Sequence, residues 1–300
     1  MEEMIKRPSH RFEFLILAFL IPLTYDRMEE LFYNIVYDLP SFDPEVIGEM
    51  VSENYYFFDA LFCLTVLAIY LPWFLILRRR ERYQTSMEPK EPIRFSGIIQ
   101  WTVITLGLSG ISLLWLTMVE DLTVGSDILG LGESLESFNE TWSPGTESYI
   151  WTFLSVVTVG PIVEELMFRG LQFWYVERIG RGWFVILFTG ISFGLWHGEP
   201  VQVVYTAIMG IALAIIYDHT RSLIPPLFIH ILNNFISALP PALDTQEVYH
   251  VLDIACMICI LPTLWMIFRM LKKTRRRRVA AQIEAQAQEI EVAVEIEETL

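Results

Sequence analysis

Cysteine is scarce: the chain has three, Cys63, Cys256 and Cys259, all inside apolar runs. No disulfide framework is expected. The CxxC spacing of Cys256 and Cys259 reads as packing, because its surroundings are lipid-like. Bases are scarce as well, 21 Lys and Arg against 36 acids, for a formal charge of −15. A chain so acidic gives no support to a nucleic-acid partner. The shortage is also local. Asp26–Glu53 holds one base, Arg27, and Glu120–Ser148 holds none. Arg78, Arg79, Arg80, Arg82, Lys90 and Arg94 crowd the connection between, and more bases fill Lys272–Arg278 after the last apolar run. This alternation is the positive-inside pattern, so the net charge reports topology. A cleavage site is missing too. Lys6, Arg7 and Arg11 flank the apolar Phe12–Leu23, but Thr24-Tyr25-Asp26-Arg27 follows, which predicts an uncleaved first span.

What is abundant is apolar surface. Hydrophobic residues make up 53% of the 300 residues and aromatics 14%. A bilayer core of about 30 Å needs about 20 mostly apolar helical residues, and several runs reach that length. The chain therefore reads as all-α, a polytopic transmembrane helix bundle of about eight spans with both termini cytoplasmic. The spans fall near 12–25, 55–77, 97–118, 149–174, 183–197, 201–217, 223–239 and 250–270. The first and fifth are short for a straight crossing. Residues 1–148 form an N-terminal membrane region with acidic external loops, and 149–240 a helix core. Residues 241–278 add the last span and a basic juxtamembrane segment, and 279–300 an acidic cytoplasmic tail. For that tail the composition favours a solvated, partly disordered segment over an amphipathic helix. Two loop features agree with this topology, the sequon at Asn139 and interfacial Tyr55, Tyr56, Trp73, Trp142 and Trp183.

Spans one to three read as nearly free of ionisable groups in their interiors, whereas spans four to seven do not. Gly190, Gly194 and Gly198 recur every four residues, which lets a neighbouring helix come close. Pro161 interrupts span four just before Glu164-Glu165-Leu166-Met167-Phe168-Arg169. A charge at mid-bilayer costs about 2.5–3.5 kcal/mol even on the gentlest scale, so these acids need a reason. Glu165 and Arg169 are four apart on one helical face and are expected to pair. Glu164 is rotated by about 100° and is left to find partners on other helices. His197 ends span five, and His230 and Asn234 lie one turn apart on span seven. At about 1.5 Å per residue from the cytoplasmic ends, Glu164 lies ~15 Å deep, His197 ~21 Å, His230 ~11 Å and Asn234 ~17 Å. The four are expected to share one layer. A carboxylate and an imidazole can deprotonate water, and a second imidazole and an amide can hold an oxyanion. Ser192, in span five, is not read as a nucleophile, since the chemistry needs none and no Gly-x-Ser-x-Gly elbow is read there. His10, His219 and His250 sit near span ends and read as interfacial.

The strings Glu164-Glu165-x-x-x-Arg169, Phe193-x-x-x-His197 and His230-x-x-x-Asn234, in this order on successive spans, resemble the CAAX prenyl protease/bacteriocin-processing (CPBP, Rce1-like) family of intramembrane peptidases. The likeness covers about Trp151–Phe235. It implies a hydrolase whose substrate is a protein or peptide, C-terminal and lipidated or membrane-embedded. It also implies that Glu164 and His197 activate water and that His230 and Asn234 stabilise the oxyanion. Glu165 and Arg169 would support them, and Phe193 would shape the site. No cofactor is expected. A zinc peptidase using Glu164, His197 and His230 is the less favoured alternative, since the HExxH arrangement is absent and Asn234 is a poor zinc ligand. A transporter or scaffold is the other, disfavoured because no repeat relates the two halves. The resemblance implies the plasma membrane in a prokaryote and the endoplasmic reticulum in a eukaryote. One departure stands out. His197 is followed by Gly198-Glu199-Pro200, where members that cut prenylated ends tend to carry further histidines.

Overall fold

A computed structural model describes residues 8–39, 43–84, 95–124, 130–141 and 147–299. Lys6, Arg7, Lys90, Arg94 and Trp142 lie outside the described residues. Among the described residues every regular element is helical: α1 (Pro8–Tyr37), α2 (Pro44–Glu53), α3 (Tyr55–Gln84), α4 (Phe95–Thr123) and α5 (Leu131–Thr141) precede the core. The core is α6 (Tyr149–Val176), α7 (Trp183–Trp196), α8 (Pro200–Thr220) and α9 (Ile224–Ser237), and α10 (Gln246–Thr299) closes the chain. The protein is a multi-pass membrane helix bundle. Five helices, α3, α4, α6, α8 and α10, are long and apolar enough to cross a bilayer. Helices α7 and α9 are apolar with 14 residues each, and α1 has 30 residues but no comparable apolar window. α10 runs unbroken through the acidic tail, against the favoured expectation of a partly disordered end. The Ala, Glu and Gln of the tail are good helix formers, and a preformed span supplies the nucleus that a free tail lacks.

The ends of the helices sort by charge. At one face Arg221, the left-handed C-cap of α8 with φ 52°, pairs bidentately with Glu177 (2.6 and 2.9 Å) just beyond α6. Burial alone would push the Glu177 carboxyl up, but the Arg221 hydrogen bonds and charge outweigh it and hold the group below its usual range. Arg221 also lies 3.2 Å from Asp218, and its carbonyl accepts from Arg78 at the end of α3 (3.1 Å). Arg278 of α10 reaches the same Asp218, and His219 meets Thr274 at 2.7 Å. At the other face the links are lighter. The Glu147 carboxylate caps the start of α3 by accepting from the backbone N–H of Tyr56 (2.8 Å) and Phe57 (3.2 Å), where the helix dipole favours an anion. On α5, Ser134 donates to Glu199 (3.1 Å) and accepts from the Val201 N–H (3.0 Å).

Helices α7 and α8 pack backbone to backbone. A Cβ placed on Gly194 would come within 2.5 Å of the Ala207 Cβ and 2.6 Å of the Val203 carbonyl, and one on Gly190 would press on the Ile211 backbone. The third glycine of the repeat does something else. Gly198 has open space around it and φ 78°, so it makes the turn between the two helices.

Candidate active site

Helix α6 carries most of the chemistry and is not a regular α-helix. Two stretches, Phe153–Val159 and Leu166–Gln172, are π-helical and flank an α-helical turn, Gly160–Glu165. Such widened turns re-aim side chains and recur at functional sites. The first ends where the Gly160 N–H reaches back five residues to the Ser155 carbonyl. Next comes Pro161, which has no N–H to give.

Glu164 and Glu165 leave this turn on different faces. Glu165 is 1% exposed and accepts at one oxygen, Oε1, from Arg169 Nη1 (2.8 Å) and from His230 Nδ1 (2.9 Å). A carboxylate so close to a guanidinium only accepts, so the His230 proton sits on Nδ1. The expected Glu165–Arg169 pair is present, and it also holds a histidine from α9. Arg169 is wholly buried, donates through Nη2 to the Gly210 carbonyl of α8 (3.1 Å) and stacks its guanidinium 4.5 Å from the Phe193 ring centre. One side chain thus ties α6 to α7 and α8.

The other histidine nitrogen, His230 Nε2, faces Glu164 Oε2 at 3.7 Å. Among the described residues that oxygen has no hydrogen-bond partner. His230 is therefore bracketed by two carboxylates, Glu165 behind it and Glu164 in front. The Phe193 ring fills the space between the histidines, 4.7 Å from His197 and 5.7 Å from His230. His197 Nδ1 lies 2.8 Å from the Phe193 carbonyl. A carbonyl accepts, so Nδ1 carries the proton and Nε2 is left with its lone pair. Glu164, His230 and Arg169 are all within electrostatic reach of His197. Trp196 packs against His197 at 5.3 Å and donates to Asp26 of α1 (3.0 Å). Asn234 donates through Nδ2 to the Val156 carbonyl (2.9 Å), and its oxygen faces Asn233 Nδ2 at 3.4 Å.

The structure thus gathers Glu164, Glu165, Arg169 and His230 by direct contact and joins His197 to them through Phe193. Among the described residues neither His197 nor Asn234 hydrogen-bonds Glu164. No group of three or more His, Cys, Asp or Glu is arranged to hold a metal ion among those residues.

Two readings of the sequence need correction. Span two is not free of buried charge. Asp59 of α3 is half-buried and accepts a hydrogen bond from Ser155 in the first π segment. Its lone position, the fifth residue of an apolar helix, was the signal. Also, Gly190–Gly194 does have the Gly-x-Ser-x-Gly spacing, but it lies inside α7, where Ser192 accepts from Gln172 Nε2 (2.8 Å). There is no strand-to-helix elbow there, so Ser192 is a packing group.

Comparison with known proteins points the same way. Residues 146–236 match the family profile described as Type II CAAX prenyl endopeptidase Rce1-like. The Bacillus subtilis (strain 168) protein named "Putative membrane peptidase YdiL" is 30% identical over 76 residues, 25% of this chain and 31% of that protein. The chain thus matches less than a third of that relative's length. No solved structure matches the chain. Every residue of the Glu164, Glu165, Arg169, Phe193, His197, His230 and Asn234 set falls inside the matched stretch, so the similarity to the Rce1-like CAAX prenyl endopeptidase family is carried by residues 146–236, less than a third of the chain.

Proposed function

We propose that the protein is an intramembrane endopeptidase that hydrolyses a peptide bond with water. Its substrate is a protein or peptide presented within or beside the bilayer, with a lipidated C-terminal segment as the class the family name implies. The observation that carries this reading is His230 held between Glu165 and Glu164, beside a Glu164 oxygen with no other partner.

The hydrogen bonds divide the groups into acceptors and donors. Glu164 Oε2 and His197 Nε2 accept, so a water between them can be deprotonated as its oxygen attacks the carbonyl carbon. The remaining N–H of Asn234 donates to the oxyanion that forms, and His230 Nε2 joins it when the ring, between two carboxylates, carries a proton on both nitrogens. The proton taken by Glu164 then passes to the leaving amine, and the C–N bond breaks. Glu165, itself paired with Arg169, orients the His230 ring through Nδ1, and Phe193 spaces the two imidazoles. By the positive-inside rule the face carrying Arg78, Arg221 and Arg278 is cytoplasmic, which leaves both termini on that side.

The test compares terminal peptides of membrane and secreted proteins from cells carrying wild type or Glu164→Gln. Termini present with wild type and missing with the variant are expected. Identical terminal maps would rule out the peptidase. A peptide found this way then serves as the substrate for the purified chain. Its cleavage is expected to persist in excess 1,10-phenanthroline. Abolition by the chelator, with recovery on adding zinc, would instead assign Glu164, His197 and His230 to a metal.

A further inference from the structure

The Val156 carbonyl is in an unusual position. In the register set by the Gly160 N–H and Ser155 carbonyl, residue 161 would donate to Val156. Residue 161 is proline, so the bond cannot form. An unsatisfied carbonyl within a membrane bundle must find another donor. It finds Asn234 Nδ2, at 2.9 Å. The same relation recurs in α1. Pro22 cannot donate to Ala18, four residues back, and Gln172 Nε2 takes that carbonyl at 3.1 Å.

The two cases differ in what the borrowed side chain does. Gln172 donates to Ser192 of α7. Asn234 lies on the His230 face of α9, and its carboxamide is held at both ends. Its nitrogen is on Val156, and its oxygen faces Asn233, whose own Oδ1 accepts from Ser109 of α4 (2.8 Å). An amide NH₂ is planar. Once one hydrogen is fixed on Val156, the direction of the other is fixed too.

We infer that Pro161 is a positioning residue of the hydrolytic site: by withholding an N–H from the Val156 carbonyl, it makes that carbonyl the anchor that aims Asn234. The inference rests on the peptidase reading. Preorganised donors stabilise an oxyanion only when they already point at it, and small misplacements are costly.

The test uses the purified full chain and a peptide whose cleavage depends on Glu164. Pro161→Ala restores the N–H, which competes with Asn234 for Val156. kcat is expected to fall roughly tenfold or more with KM unchanged. In an Asn234→Ala background the same change is expected to do nothing further, since the group it disturbs is gone. Pro22→Ala, which frees Gln172 instead, should leave kcat intact. An α-hydroxy acid at position 161 lacks the N–H without the proline ring, and it should retain near-wild-type kcat. That variant decides if Pro161→Ala does not fold. Wild-type kcat in Pro161→Ala, an undiminished loss in the Asn234→Ala background, or a tenfold loss with the hydroxy acid would each overturn the inference. Finding no peptide whose cleavage is lost in Glu164→Gln protein would instead sink the peptidase reading itself.

Discussion

Arg169→Met is expected to lower the thermal midpoint of the purified chain steeply, and adding Glu165→Gln is expected to recover most of the loss. The reason is the environment. Arg169 is fully buried and Glu165 is 1% exposed, so neither can turn to water when its partner is removed. Breaking a buried pair from one side costs about 3–5 kcal/mol, while removing both charges is close to neutral. Gln at 165 keeps an oxygen for the His230 Nδ1–H, so the histidine stays in place in the double variant. Unfolding followed by intrinsic tryptophan fluorescence reads this directly. A single variant as stable as wild type would mean that Arg169 is not the counter-charge of Glu165.

Activity should behave as a unit on the other side of His230. Glu164→Gln and His197→Ala are each expected to reduce kcat by about 10²–10⁴ at unchanged KM, because the proton acceptors act in the transition state. The double variant should be little worse than either alone, since a half-assembled acceptor pair cannot activate water. Single-turnover cleavage by the three variants supplies the comparison. Losses that multiply would separate the two residues into different steps.

Much of this was legible in the residues. Apolar runs placed α6, α7, α8 and α9 and the starts of α3 and α4 to within about three residues, because lipid makes length and hydropathy decisive, while α3 and α4 run on into the polar flanks. The Glu165–Arg169 spacing predicted its ion pair, because both partners lie on one helix. What escaped needed distances between helices. That Glu165 also holds His230 depends on how α9 docks on α6. The π segments of α6 were invisible, because a 3.6-residue period was assumed throughout and Pro161 read only as a kink. Asp59 went unnoticed within a strongly apolar stretch, and its partner Ser155 lies on another helix. Gly110 likewise meets the Cys256 backbone of α10 closely, a contact no local pattern announces.

The Glu177–Arg221–Asp218–Arg278 cluster has a mechanical consequence. It rivets the ends of α6, α8 and α10 together and, through Arg78, the end of α3 as well. At the opposite face the fastenings described above are hydrogen bonds, Ser134 to Glu199 and the Glu147 cap on α3. Any separation of the helices at the Arg221 end would have to break several charged contacts together.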